Sequence, residues 1–136
     1  MFNTGVNRYK SVQVKTSTPG ELLMMLYDGA FRFLGEAVSA FESGDRVKAS
    51  ERIDRAYAIL GEFQSSLRPE YYPELCKNLE GVYGFCMGHL VQANISQDVE
   101  MVRDVIRILD PLRDAFREAV RQVHSGEAKL EASRPR

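Results

Sequence analysis

An all-α protein, an antiparallel up-down-up-down four-helix bundle, is what this sequence predicts, on three observations. Apolar residues recur at steps of three and four in four successive blocks, and no block alternates with the period of two that a half-buried strand requires. The blocks are of similar length and only a few residues separate them, which favours antiparallel neighbours over long crossovers. The run Thr18-Pro19-Gly20-Glu21 is a helix start: Thr18 is placed to cap, Pro19 falls where its missing N–H costs nothing, and Glu21 closes a capping box.

The first predicted helix runs from about Pro19 to Phe41, with Leu22, Leu26, Ala30, Phe33, Ala37 and Phe41 on one face. Gly44 and Asp45 end it and cap the second, from about Arg46 to Leu67, whose Ala49, Ile53, Ala56, Leu60, Phe63 and Leu67 form a coiled-coil-like seam. Arg68 to Pro73 reads as a turn. Leu75, Leu79, Val82, Cys86, Leu90 and Ala93 then define a third helix to about Asn94, a residue suited to a C-terminal cap. The fourth spans about Asp98 to Val123 on Val102, Val105, Leu109, Leu112, Phe116, Ala119 and Val123. Pro111 interrupts it, but the seam keeps step across the site, so the expectation is a bend with Phe116 still facing the core, not a break. Three regions follow: a polar, flexible segment over 1–17, a bundle over 18–124 and a solvated, disordered tail over 125–136.

Composition excludes several function classes. At 136 residues with 44% hydrophobic content the chain suits one domain with one core. Its net charge of −1 points to neither nucleic acid nor an anionic membrane. Arg8 and Lys10 have no apolar run behind them, and Leu22 to Tyr27 falls short of the roughly 20 apolar residues of a membrane span. The reading is therefore cytoplasmic, with no membrane insertion. Cys76 and Cys86, ten residues apart on one predicted helix and thus about 15 Å apart, are beyond disulfide reach.

No catalytic constellation emerges. A di-iron bundle needs Glu-x-x-His pairs, whereas Cys86 precedes His89 and Arg121 precedes His124 at that spacing. Phosphotransfer at His89 would want a nearby Lys, and none follows until Lys129. Neither a metal nor a cofactor is implied. Gly81, Gly84 and Gly88 are the unexplained feature, each costing about 1 kcal/mol in a helix interior. They read either as close packing against a neighbouring helix, the favoured reading, or as a trough beside Val82, Tyr83, Phe85 and Met87 that admits a partner. Met24, Met25, Met87 and Met101 divide in the same way, between core filler and adaptable lining.

The run Ser17-Thr18-Pro19-Gly20-Glu21-Leu22-Leu23 with Leu26-Tyr27-Asp28-Gly29-Ala30, preceded by Val6-x-x-Tyr9-Lys10, resembles the flagellin-specific secretion chaperones of bacterial flagellar export. Gly44-Asp45, Asn78-Leu79, Val82-Tyr83, Ala93-Asn94-Ile95 and Leu112 to Phe116 extend the likeness along the bundle, whereas Gly88-His89 stands where the family commonly has two basic residues. The resemblance implies a chaperone, not an enzyme, that binds the disordered C-terminal segment of flagellin as helix in groove and prevents its premature polymerisation. It implies partner contacts at Val6, Tyr9, Tyr27, Tyr57, Tyr83, Met87 and Asn94, with Val6 and Tyr9 in a segment that covers the groove until the client arrives. An export-gate component and other flagellar regulators are further partners it suggests. A homodimer, or an oligomerising adaptor bundle with no flagellin client, is the competing expectation.

Overall fold

The computed structural model describes residues 18–133 and contains four α-helices: α1 (Pro19–Glu42), α2 (Arg46–Ser65), α3 (Pro73–Ser96) and α4 (Val99–Ala132). Val6 and Tyr9 lie outside the described residues. Each helix packs on the next in sequence and α4 returns to α1, so the helices form a closed ring with α1 diagonal to α3. This is the up-down-up-down bundle.

Local chemistry sets the boundaries. The Glu21 N–H donates to Thr18 Oγ1 at 3.1 Å, and the Thr18 N–H donates to Glu21 Oε2 at 3.3 Å, completing the capping box at the start of α1. At its other end Gly44 has φ of +79°, and the Asp45 N–H reaches back to the Ala40 carbonyl at 2.8 Å, a Schellman closure that needs a residue without a Cβ. Asp45 then accepts from the Lys48 N–H at 3.0 Å and caps α2.

The end of α3 differs from expectation. Asn94 sits inside the helix, and Gln97, at φ of 54°, takes the left-handed position while the Asp98 N–H bonds back to the Ala93 carbonyl at 3.1 Å. α4 also departs: it runs on through Pro111 and past Val123 to Ala132, so 125–132 is helix and not a disordered tail. Glu127, Lys129 and Leu130 are good helix formers, and extension of an existing helix needs no new nucleus. The helix does not end at Pro111, and Leu112 and Phe116 beyond it still pack on the core, as the unbroken seam requires.

The core takes Tyr27, Ala30, Leu34 and Ala37 from α1, Ile53, Ala56, Leu60 and Phe63 from α2, Leu79, Tyr83, Cys86, Leu90 and Ala93 from α3, and Val102, Val105 and Leu109 from α4. On α1 the seam is turned from the expected phase. Tyr27 and Leu34 are fully buried, whereas Leu26, Phe33 and Phe41 pack at its edge. The first two turns are apolar almost all round, so periodicity alone leaves the phase open there, and the aromatic packing of Tyr27 decides it.

Candidate partner-binding surface

Two of the expected contact residues belong to the interior. Tyr27 and Tyr83 are 0% and 2% exposed, and their hydroxyls meet at 2.5 Å, joining α1 to α3 across the diagonal of the bundle. The Tyr27 ring stacks on Phe63 with centroids 4.4 Å apart and tilts against Phe116 at 5.6 Å, while Tyr83 packs on Phe63 at 5.6 Å. Burial, and then the bond to Tyr83, push the Tyr27 hydroxyl far above the ordinary tyrosine range; burial also raises Tyr83. Both remain neutral and hold the register of the core. Neither lines a surface, which corrects their assignment as partner contacts.

Tyr57, Met87 and Asn94 come together on the α2–α3 side. Asn94 Nδ2 donates to Asp54 Oδ1 at 3.4 Å, Met87 Cε lies 3.6 Å from where a Cβ on Gly61 would sit, and Gln64 Nε2 lies 3.5 Å from where one on Gly84 would sit. Seven residues forward on α2, from Asp54 to Gly61, match seven back on α3, from Asn94 to Met87, and the next three match from Gly61 to Gln64 and from Met87 to Gly84. This antiparallel register sets Tyr57 opposite Val91, and both are partly open, at 39% and 45% exposure.

The glycines explain the rest of that surface. A Cβ on Gly81 or Gly88 would meet nothing within 4 Å, and one on Gly84 only the Gln64 side chain. Close packing against a neighbouring helix, the favoured reading, is therefore overturned, because these glycines face outward. At about 100° per residue, Gly81, Gly84, Phe85, Gly88, Val91 and Ile95 fall within an arc of about 120°. Phe85 is 56% and Ile95 72% exposed. From Gly81 to Ile95 the outer face of α3 thus presents exposed Phe85, Val91 and Ile95 over low relief, with Gln92 as the polar residue among them. Phe85 stood beside the expected trough, whereas Val91 and Ile95 did not, although projecting them round the helix with the glycines finds them.

His89 borders this face. Its Nε2 lies 3.1 Å from Asp104 Oδ2 on α4 and its ring stacks on Phe85 at 5.1 Å. The bond to His89, followed by Arg107, holds the Asp104 carboxyl below its usual range. A second concavity of about 300 Å³ lies where the chain enters α1, between Thr18, Pro19 and Gly20 and the Ala119, Val120, Val123, His124 and Glu127 side of α4. No cluster of His, Cys, Asp or Glu among the described residues is arranged to hold a metal ion. Cys76 and Cys86 are buried free thiols, and burial pushes Cys86 up to about 11.

The sequence pattern of the family described as flagellar protein FliS matches residues 2–123. The chain belongs to the FliS family. It is 34% identical over 112 residues to the flagellar secretion chaperone FliS of Bacillus subtilis, a match covering 82% of this chain and 83% of that one. Against the FliS chaperone of Vibrio cholerae the identity is 29% over 121 residues, covering 86% and 89%. A solved flagellar chaperone from bacteria superposes with a TM-score of 0.71 at 18% identity, over 88% of this chain and 97% of the other, and so shares the fold. FliS proteins are chaperones and not enzymes, and this chain is a flagellar export chaperone. No helix among the described residues is long and apolar enough to cross a membrane.

Proposed function

We propose that this FliS protein binds the C-terminal segment of flagellin in the cytoplasm, keeps it from polymerising and delivers it for export, with the outer face of α3 and its border with α2 as the docking surface. The observation that carries this reading is the uncovered apolar strip of Phe85, Val91 and Ile95 on α3, lowered by Gly81 and Gly88 so that a partner helix backbone can come close. Tyr57 and Met87 extend the strip onto the α2–α3 seam, and the Asn94–Asp54 hydrogen bond closes its end. A disordered client that orders on binding needs a large wrapped surface to offset the entropy it loses, to which the strip from Gly81 to Ile95 and its extension onto the α2–α3 seam contribute.

Val6 and Tyr9 fit the role of a cover that competes with the client. An export-gate component and flagellar regulators are proposed as further partners. The competing reading pairs two copies of the chain through the same strip.

Isothermal titration with flagellin decides between them. Saturable one-to-one binding that disappears when the client's C-terminal segment is removed is the expected result. Undiminished binding to the truncated flagellin, or self-association that leaves the strip unavailable to flagellin, contradicts the proposal.

A further inference from the structure

We infer that the cleft between α1 and α2 around Phe33 is a second docking site, one that takes a carboxylate side chain, Asp or Glu, from a partner protein. The cleft encloses about 350 Å³ between Arg32, Phe33, Glu36, Arg52 and Arg55. The Arg32 and Arg55 guanidiniums lie 5.0 Å and 5.6 Å from the centre of the Phe33 ring. Arg52 Nε bonds to Glu36 Oε1 at 3.0 Å, and Glu51 pairs with both Arg52 and Arg55. Arg32 has no ion-pair partner among the described residues.

Three guanidiniums against two carboxylates leave one positive charge in excess, and that charge resides at Arg32. A guanidinium held against an aromatic face keeps its N–H edge free, and that fork matches a carboxylate in a bidentate pair. The ligand class follows from the excess. A carboxylate brings one negative charge and completes the balance, whereas a phosphate dianion brings two to a cleft lined by Glu36, whose Arg52 and Arg55 are already paired with Glu51 beside it.

The site is separate from the outer face of α3. On α2, Arg52 and Arg55 lie about 140–160° round the helix from Tyr57, so both surfaces are open to occupation at once. The arrangement suits a chaperone that holds a client on one side and meets an acidic segment of a second protein on the other.

The test is a titration of the isotope-labelled full chain with a short polyglutamate peptide, read at the arginine Nε–H signals, with polyglutamine and inorganic phosphate as the other arms. Saturable shifts concentrated at Arg32, Arg52 and Arg55, absent with polyglutamine and weakened about tenfold by Arg32→Gln, are expected. The exposed position of Arg32 leaves the fold of that variant intact, and its flagellin binding is expected to match the parent. Shifts spread evenly over all arginines, an affinity indifferent to Arg32→Gln, or tighter binding of phosphate than of polyglutamate would each overturn the inference.

Discussion

The two sides of α3 have opposite fates. The inner side, with Leu79, Tyr83, Cys86, Leu90 and Ala93, is closed, and its one buried hydroxyl is paired to Tyr27. The outer side, with Gly81, Phe85, Gly88, Val91 and Ile95, carries apolar surface that nothing in the bundle covers and glycines that no intramolecular contact explains. One helix thus separates what holds the fold from what is free to bind. Substitutions on the inner side are expected to change stability and leave the binding chemistry alone; those on the outer side are expected to do the reverse.

The largest effect is expected on the inner side. Leu90→Ala removes a fully buried side chain and should cost about 2–5 kcal/mol in denaturant unfolding, with client affinity unchanged wherever the variant is folded. Tyr83→Phe is milder. It leaves the Tyr27 hydroxyl buried without its partner and should cost about 1–3 kcal/mol, again without touching the outer strip. If either variant, while folded, lost client binding in proportion to its lost stability, the division between the two sides would fail.

On the outer side, Val91→Lys should alter stability by no more than about 0.5 kcal/mol yet weaken client binding at least about tenfold, because it places a charge in the middle of the apolar strip. Gly88→Ala sharpens the comparison further. With open space around the new Cβ, the fold should gain up to about 1 kcal/mol from helix propensity, while the methyl group holds the client backbone away and lowers affinity. A variant both more stable and equally tight in binding would show that the glycine serves no partner.

The smallest effect is one of pH. Burial raises the Cys86 thiol from 9.0 to about 11, so the folded state holds that proton more tightly than the unfolded chain. Its contribution is fully present below pH 9 and is lost as pH rises towards 11. Denaturation midpoints should fall over that window, and Cys86→Ala should flatten part of the fall. In the same protein at neutral pH, thiol reagents should modify Cys86 only on unfolding.

How much of this was legible in the sequence divides along the same line. Helix existence, the capping box at Thr18 and the Gly44-Asp45 turn were legible because caps and turns are local chemistry. The continuation through Pro111 was legible because the seam stays in phase on both sides. The burial of Tyr27 was not, since the apolar residues around Leu22 to Leu26 allow more than one phase and only packing against Phe63, Tyr83 and Phe116 on the other three helices selects it. The helical course of α4 beyond Val123 was missed because that stretch is polar and carries Gly126, and period alone gives it no face. The outward aim of the glycines was misjudged for a different reason: sequence shows that side chains are absent, and only the neighbouring helices show that nothing replaces them. Of the expected contact residues, Tyr57, Met87 and Asn94 share the α2–α3 side, while Tyr27 and Tyr83 belong to the core.

The most direct test of the central claim is amide mapping of the labelled chain as unlabelled flagellin C-terminal segment is added. Shifts are expected that saturate at one-to-one and concentrate at Tyr57, Gly81, Phe85, Gly88, Val91 and Ile95, with the Leu79, Leu90 and Val105 amides little moved. Saturable binding that leaves the outer face of α3 unperturbed would contradict it.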